Sequence, residues 1–158
     1  PSPRLVFASL AIVSCGLLAS GLALGELVHL EPCYLCNFQR LLYIVIALLS
    51  ACACGLNRWP RFWGILIALT ALWGIASAAE QSWMQFAPDQ VTECGISDPD
   101  LVEIIVNWLA TKWPAMFMVT GFCTVKDWVF LGLTLANWSA LCFLTLCGVA
   151  FWQVFRRR

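Results

Sequence analysis

Four long apolar stretches constrain the fold of this chain more than any other feature. They occupy residues 5–24, 34–56, 62–79 and 129–155. An α-helix needs about 20 apolar residues to cross the hydrocarbon core of a bilayer. We therefore expect an all-α membrane protein, in which residues 1–158 form one domain built on a four-transmembrane-helix bundle.

The composition indicates that lipid is the solvent of this chain. Hydrophobic residues make up 61% of the sequence and charged residues 11%, whereas a soluble domain carries about 25% charged residues. So few charges could not cover a surface that faces water. The formal net charge is +0, and nothing in the sequence favours nucleic-acid binding.

Arg4 precedes the first stretch, as a basic residue precedes the apolar region of a signal peptide. That region of a signal has roughly 7–15 residues, however, and residues 5–24 exceed it. We expect a retained helix.

The basic residues predict the orientation of the bundle, because cytoplasmic loops are enriched in Lys and Arg. Arg40, Lys112 and Lys126 fall on one side. The other side carries Arg4, Arg58, Arg61, Arg156, Arg157 and Arg158. Both termini and the turn at residues 57–61 should therefore be cytoplasmic, with the long loop 80–128 on the outer side.

A short helix is predicted within that loop, over residues 98–112, with Asp98 as its cap and Pro99 in its first turn. Its polar residues form a narrow stripe and its apolar residues cover the remainder. Such a helix should lie in the membrane interface. The alternative is a loop helix packed on the top of the bundle.

The topology divides the nine cysteines into two groups. Five lie within the predicted spans and should be inert packing residues, since apolar surroundings keep a thiol neutral: Cys15, Cys52, Cys54, Cys142 and Cys147. Four lie on the outer side, where an oxidising compartment permits disulfide chemistry: Cys33, Cys36, Cys94 and Cys123.

Cys33 and Cys36 form a CxxC pair directly after Pro32. Proline stops a helix from extending backwards, so the pair should sit at a helix N-terminus, where backbone N–H groups stabilise a thiolate. Arg40 follows on the same helix face, and a charge inside a span is usually functional, although it could also snorkel to the interface. A structural disulfide would also fit the pair, and half a zinc site would fit less well. His29 is the only histidine, and we interpret it as an interfacial residue.

Cys94 and Cys123 allow two interpretations from spacing alone. They could form a structural clip on the loop, which would contribute about 3–4 kcal/mol on a chain-entropy estimate. They could instead exchange with the CxxC pair at the same membrane face. The presence of that pair favours exchange.

These residues resemble the DsbB family of bacterial inner-membrane disulfide-generating proteins. The matching features are the segment 32–36, followed by Arg40, then Cys94, and the segment 123–133 that begins with Cys123. The four spans also match in order and orientation. The resemblance covers nearly the whole chain.

The resemblance implies a thiol:quinone oxidoreductase with periplasmic redox loops. A Cys94–Cys123 disulfide would oxidise a periplasmic thioredoxin-fold partner of the DsbA type, with Cys94 forming the mixed disulfide. Cys123 would then exchange with Cys33. Cys36 would be the thiolate that faces a bound quinone, ubiquinone or menaquinone, and Arg40 would support that site. The membrane quinone pool would take the electrons.

The chain departs from the family pattern at Gln81, where well-studied relatives carry a histidine near the quinone. We expect Gln81 to contribute to the quinone site. The interval from Cys94 to Cys123 is also slightly longer than in those relatives. Two alternatives stay open: a redox bundle that serves a specialised partner or is similar to vitamin K epoxide reductase, and a non-enzymatic scaffold similar to the tetraspanins.

Overall fold

The computed structural model describes residues 2–56, 59–88, 100–126 and 128–155. Four of the helices in these ranges are long and apolar enough to cross a membrane. In chain order the elements are α1 (Pro3–Val28), α2 (Tyr34–Leu56), α3 (Pro60–Phe86), α4 (Leu101–Lys112), α5 (Pro114–Phe117), β1 (Val129–Phe130), β2 (Leu133–Thr134) and α6 (Leu135–Phe155). The four long helices are α1, α2, α3 and α6, which confirms the predicted fold class.

The fourth predicted span begins too early in the sequence. Residues 129–134 form a small antiparallel hairpin instead, with Val129 opposite Thr134 and Phe130 opposite Leu133. Its two turn residues, Leu131 and Gly132, have φ values of 53° and 78°. A two-residue hairpin turn with positive φ at both positions matches the twist of the strands. The helix α6 therefore begins only at Leu135.

The first and third helices extend beyond their predicted ends, whereas α2 has the predicted bounds. The helix α1 ends where His29 adopts the left-handed conformation, with φ 52°, and its N–H bonds the Gly25 carbonyl. Its neighbour Leu30 donates to the same carbonyl at 3.0 Å. This C-cap ends the helix before Pro32 and frees the following residues to start α2.

The loop helix α4 begins later than predicted. Asp100 caps it and accepts a hydrogen bond from the backbone N–H of Leu101. The predicted cap Asp98 and Pro99 lie outside the described residues. One apolar face of α4 is buried, and the helix packs on α2. Leu101, Ile104 and Trp108 are exposed on the remainder.

Small residues allow α3 and α6 to pack closely. A Cβ on Gly74 would overlap the ring of Phe143, which is fully buried. That ring stacks on Tyr43 of α2, with centroids 4.3 Å apart and planes 9° from parallel. Small residues at interfaces bring membrane helices into van der Waals contact. The start of α2, the end of α3 and the start of α6 consequently meet at one end of the bundle.

Candidate redox site

The CxxC pair lies at the start of α2, as predicted. Tyr34 is the first helical residue. At the start of the helix, the N–H of Asn37 donates a hydrogen bond to the carbonyl of Cys33 at 3.1 Å. One helical turn brings the sulfurs of Cys33 and Cys36 to 3.4 Å. Both are free thiols, Cys33 buried and Cys36 half-buried. The two sulfurs are thus close enough for a disulfide to form with little movement.

A loop after α5 carries Cys123 to the same place. The N–H groups of Thr120 and Gly121 donate to the carbonyl of Pro32 at 3.1 and 3.3 Å. This approach requires glycine, because a Cβ at position 121 would overlap the Glu31 carbonyl group. Cys123, which is buried, interacts directly with Cys33. The structure therefore places Cys33 between Cys123 and Cys36.

These contacts decide the protonation of Cys33. The pKa of Cys33 is raised to about 12. The largest cause is the interaction with Cys123, which raises the pKa; the contact with Cys36 lowers it, and burial raises it further. The expectation that the helix N-terminus would hold a thiolate is therefore wrong for Cys33. In the reduced protein this residue is a neutral thiol at physiological pH.

Two glutamines surround the other sulfur of the pair. Nε2 of Gln81, near the end of α3, donates to Sγ of Cys36 at 3.0 Å. Nε2 of Gln39 donates in turn to Oε1 of Gln81 at 2.9 Å. Both glutamines are buried. Gln81 thus contacts the Cys36 sulfur itself, which the sequence did not predict.

Arg40 is held inside the bundle by specific contacts. Its Nη1 donates to the carbonyl of Met116 at 3.0 Å and to Oδ1 of Asn37 at 3.1 Å. Asn37 is fully buried and donates to the carbonyls of Phe117 and Met118 at 2.9 and 3.0 Å. Simple snorkelling does not explain this arrangement. The guanidinium is fixed between α2 and α5, beside the sulfur pair.

A cavity of about 230 Å³ opens next to Cys36, between α1, α2 and α6. Its polar lining includes Gln39, Arg40 and Gln81 together with Cys36. Apolar residues dominate the rest of its wall: Leu17, Leu18, Leu24, Trp128, Leu135, Ala136 and Trp138. An apolar pocket with a few convergent polar groups is the usual form of a small-molecule site.

This cavity fits a quinone. A quinone ring presents two carbonyl oxygens that accept hydrogen bonds, and the lining offers N–H donors from the Arg40 guanidinium and the glutamine amides. Its isoprenoid tail is apolar, like the greater part of the wall. Arg40, Gln39 and Gln81 are therefore the residues that would hold the ring, with the Cys36 sulfur beside it.

Among the five span cysteines that we expected to be inert, all of them in the described part of the chain, Cys142 alone lines this cavity. Cys15 and Cys52 are exposed on the helix surface, and Cys147 is buried and faces the Ala68 carbonyl. Cys142 lines the cavity wall and interacts with Tyr43, so it is not the simple packing residue that we expected. Cys94 lies outside the described residues.

Sequence reasoning missed two residues of the site, Asn37 and Gln39. Both are polar and occur in the first turns of an apolar span. Polar groups inside a membrane helix are costly unless they find partners. That cost, already applied to Arg40, was the signal that could have identified them.

Comparison with known proteins identifies relatives along nearly the whole chain. Residues 3–153 match the family model described as "Disulfide bond formation protein DsbB". A "Disulfide bond formation protein B" of Dechloromonas aromatica is 46% identical over 147 residues, which cover 93% of this chain and 89% of the relative. Another, of Aromatoleum aromaticum, is 40% identical over a match that covers 99% of this chain and 95% of the relative. A third, of Azoarcus sp. (strain BH72), is 38% identical over a match that covers 98% of this chain and 94% of the relative.

Proposed function

Because the chain belongs to the DsbB family of disulfide bond formation proteins, we propose that it reoxidises a periplasmic DsbA-type dithiol oxidase and passes the electrons to a membrane quinone. The family and the four apolar helices make it a multi-pass membrane oxidoreductase. They do not favour the scaffold alternative. We propose further that it is a single domain of the bacterial inner membrane, with both termini cytoplasmic, on the strength of its arginine distribution.

The order of the sulfurs is the observation that carries this proposal. Cys123 lies against Cys33, Cys33 lies 3.4 Å from Cys36, and Cys36 borders the cavity. Thiol–disulfide exchange proceeds by attack of a thiolate on a disulfide sulfur. Neighbouring sulfurs in this order support a relay from the loop to the cavity.

The first exchange takes place on the loop. A thiolate of the partner attacks Cys94 of the Cys94–Cys123 disulfide, a mixed disulfide forms, and Cys123 leaves as a thiolate. The partner's second thiol then displaces Cys94, and the partner departs oxidised. Cys123 and Cys33 are both buried, which supports assigning the encounter with a soluble protein to Cys94.

The second exchange takes place at the helix start. The Cys123 thiolate attacks Cys33 of the Cys33–Cys36 disulfide, so that a Cys123–Cys33 bond forms and Cys36 leaves as a thiolate. Gln81 donates its N–H to that sulfur, and Arg40 supplies a positive charge beside the cavity. Both groups stabilise negative charge as it develops on Cys36.

Arg40, Gln39 and Gln81 would orient the quinone ring at Cys36, and the apolar wall would accept its tail. When bound there, the quinone supplies the oxidising power for a two-electron step, and its ring oxygens supply sites for two protons. Attack of Cys94 on Cys123 of the Cys123–Cys33 bond restores the loop disulfide. Cys33 and Cys36 then return to their own disulfide as the two electrons leave the protein.

An anaerobic turnover assay tests the proposal. Purified chain is mixed with a reduced DsbA-type protein and with ubiquinone or menaquinone, and the quinone absorbance is followed. We expect one quinone reduced for each partner disulfide formed. Cys36→Ser should abolish turnover, while Cys52→Ser, on the same helix but away from the cavity, should retain it. Absence of turnover with both quinones would overturn the proposal.

A further inference from the structure

Two buried glutamines form a directed chain of hydrogen bonds that ends on the Cys36 sulfur. Gln39 donates to the carbonyl oxygen of Gln81 at 2.9 Å, and Gln81 donates to Cys36 Sγ at 3.0 Å. Gln39 follows Cys36 by almost one helical turn on α2, while Gln81 reaches across from α3. The two helices therefore cooperate on one sulfur atom.

The direction of this chain has a chemical consequence. A glutamine amide has an N–H side and a carbonyl side of nearly the same shape. An N–H directed at Cys36 stabilises its thiolate, whereas a carbonyl oxygen there would stabilise the protonated thiol. The Gln81 carbonyl already accepts the N–H of Gln39. Gln81 is consequently left with its N–H side toward the sulfur.

We propose that Gln39 is a positioning residue, which fixes the orientation of the Gln81 amide and thereby keeps Cys36 reactive. Gln39 does so without a hydrogen bond to the sulfur. This role rests on the proposed function, in which Cys36 is the sulfur that meets the quinone. An amide also has no proton to lose near neutral pH, unlike histidine. The support for Cys36 therefore stays constant while the pH varies.

Alkylation of Cys36 as a function of pH tests this role and needs no quinone. The full chain carries Cys33→Ser, so that Cys36 is the only thiol of the pair, and labelling with iodoacetamide is read by peptide mass spectrometry. Gln39→Met should move the midpoint of labelling upward by about one pH unit, which is about tenfold slower labelling below the midpoint. Gln81→Met should move it at least as far.

The double variant distinguishes a relayed effect from a direct one. If Gln39 acts through Gln81, Gln39→Met should add nothing once Gln81→Met is present, because coupled residues are not additive. A shift that adds fully in the double variant would overturn the positioning role. So would an unchanged midpoint in Gln39→Met alone.

Two further variants test whether the shift depends on this pair of glutamines and on the direction of their hydrogen bond. Gln153→Met removes another buried glutamine amide, far along α6, and should leave the midpoint unchanged. Gln39→Glu preserves size, but its carboxylate only accepts hydrogen bonds. It should turn the Gln81 carbonyl toward the sulfur and raise the midpoint, with a smaller effect when position 81 is Met. An equal effect in both backgrounds would contradict the relay.

Quinone turnover of the same glutamine variants, with Cys33 intact, separates the two proposals. An unchanged labelling midpoint with normal turnover would overturn only the role of Gln39. A failure of the unsubstituted chain to reduce quinone would overturn the proposed function, whereas the labelling shifts would still report on the hydrogen-bond chain.

Discussion

Gly121 lies so close to Glu31 that a Cβ at position 121 would overlap the Glu31 carbonyl group. The contact fastens the loop that carries Cys123 to the segment that carries Cys33. It therefore helps to hold Cys123 beside Cys33.

Gly121→Ala should displace Cys123 from Cys33. In a Cys36→Ser/Cys94→Ser background, where no other thiol can resolve the bond, formation of the Cys33–Cys123 disulfide under a mild oxidant should become at least about tenfold slower, since small misplacements of reacting atoms carry large rate costs. Mass spectrometry of the linked peptides measures the rate. Gly148→Ala is the matched control, because a Cβ there meets nothing within 4 Å. Equal rates in the two variants would show that the loop contact does not position Cys123.

Cys123→Ala should make Cys33 more reactive in the reduced protein. The interaction with Cys123 is the largest cause that raises the pKa of Cys33 to about 12, so its removal should lower that pKa. A larger thiolate fraction near pH 8 means faster alkylation, by several-fold. Labelling of Cys33 in fully reduced protein measures this, with Cys147→Ala as control. Slower labelling in Cys123→Ala would contradict the assigned contact.

The raised pKa of Cys33 also has a consequence for stability. The folded reduced protein keeps this proton up to about pH 12, whereas an unfolded thiol loses it near its ordinary pKa of about 8.5. Between these values the folded state binds more protons, so the free energy of unfolding should fall as the pH rises. Unfolding of the reduced chain at pH 8 and pH 10 measures the trend. A fall between pH 8 and pH 10 that is no larger than the fall in Cys33→Ala would contradict it.

Asn37→Ala should destabilise the end of the bundle that carries the sulfur pair. The substitution removes both hydrogen bonds from Asn37 to the carbonyls of Phe117 and Met118 and one acceptor of Arg40. Unsatisfied buried groups cost about 1–3 kcal/mol each, so a loss of about 2–4 kcal/mol is expected. Thermal unfolding in detergent measures it. Thr145→Ala, which removes an exposed hydroxyl bonded within α6, should change stability little, and an equal loss in both would refute the assignment.

Arg40→Ala should weaken the interaction with quinone. Removing the guanidinium takes a positive charge and N–H donors from the cavity wall, and the quinone KM should rise about tenfold, as expected for loss of a charged hydrogen bond of about 1.5 kcal/mol. Steady-state kinetics measure the change. Lys112→Ala, which removes an exposed cation at the end of α4, is the control. Unchanged quinone kinetics in Arg40→Ala would leave Arg40 a purely structural residue.

The sequence predicted the features that depend on local composition. The apolar stretches identified four helices, and Pro32 placed the start of α2 correctly at Tyr34. The hairpin at residues 129–134 was missed because its residues are as apolar as a span, and only Gly132 indicated a turn. Hydropathy measures preference for lipid and carries little information on backbone conformation.

The sequence singled out Cys33, Cys36, Cys123 and Arg40, which the structure brings together, but it did not predict their contacts. No periodicity indicates that Gln39 would reach Gln81, or that Asn37 would bond the backbone of α5. Such pairs depend on how helices distant in the chain pack together. The neutral state of Cys33 was missed for the same reason, because its main cause is a sulfur from another loop.

Electron transfer from the Cys33–Cys36 pair to quinone can be followed in a single turnover. Reduced Cys94→Ser/Cys123→Ser chain, in which no loop thiol can take over the disulfide, is mixed anaerobically with one equivalent of quinone and no partner. The loss of quinone absorbance is compared with formation of the Cys33–Cys36 disulfide by peptide mapping. We expect both to proceed at one rate and in one-to-one yield. Quinone reduction without that disulfide, or the disulfide without quinone reduction, would contradict electron transfer from this pair.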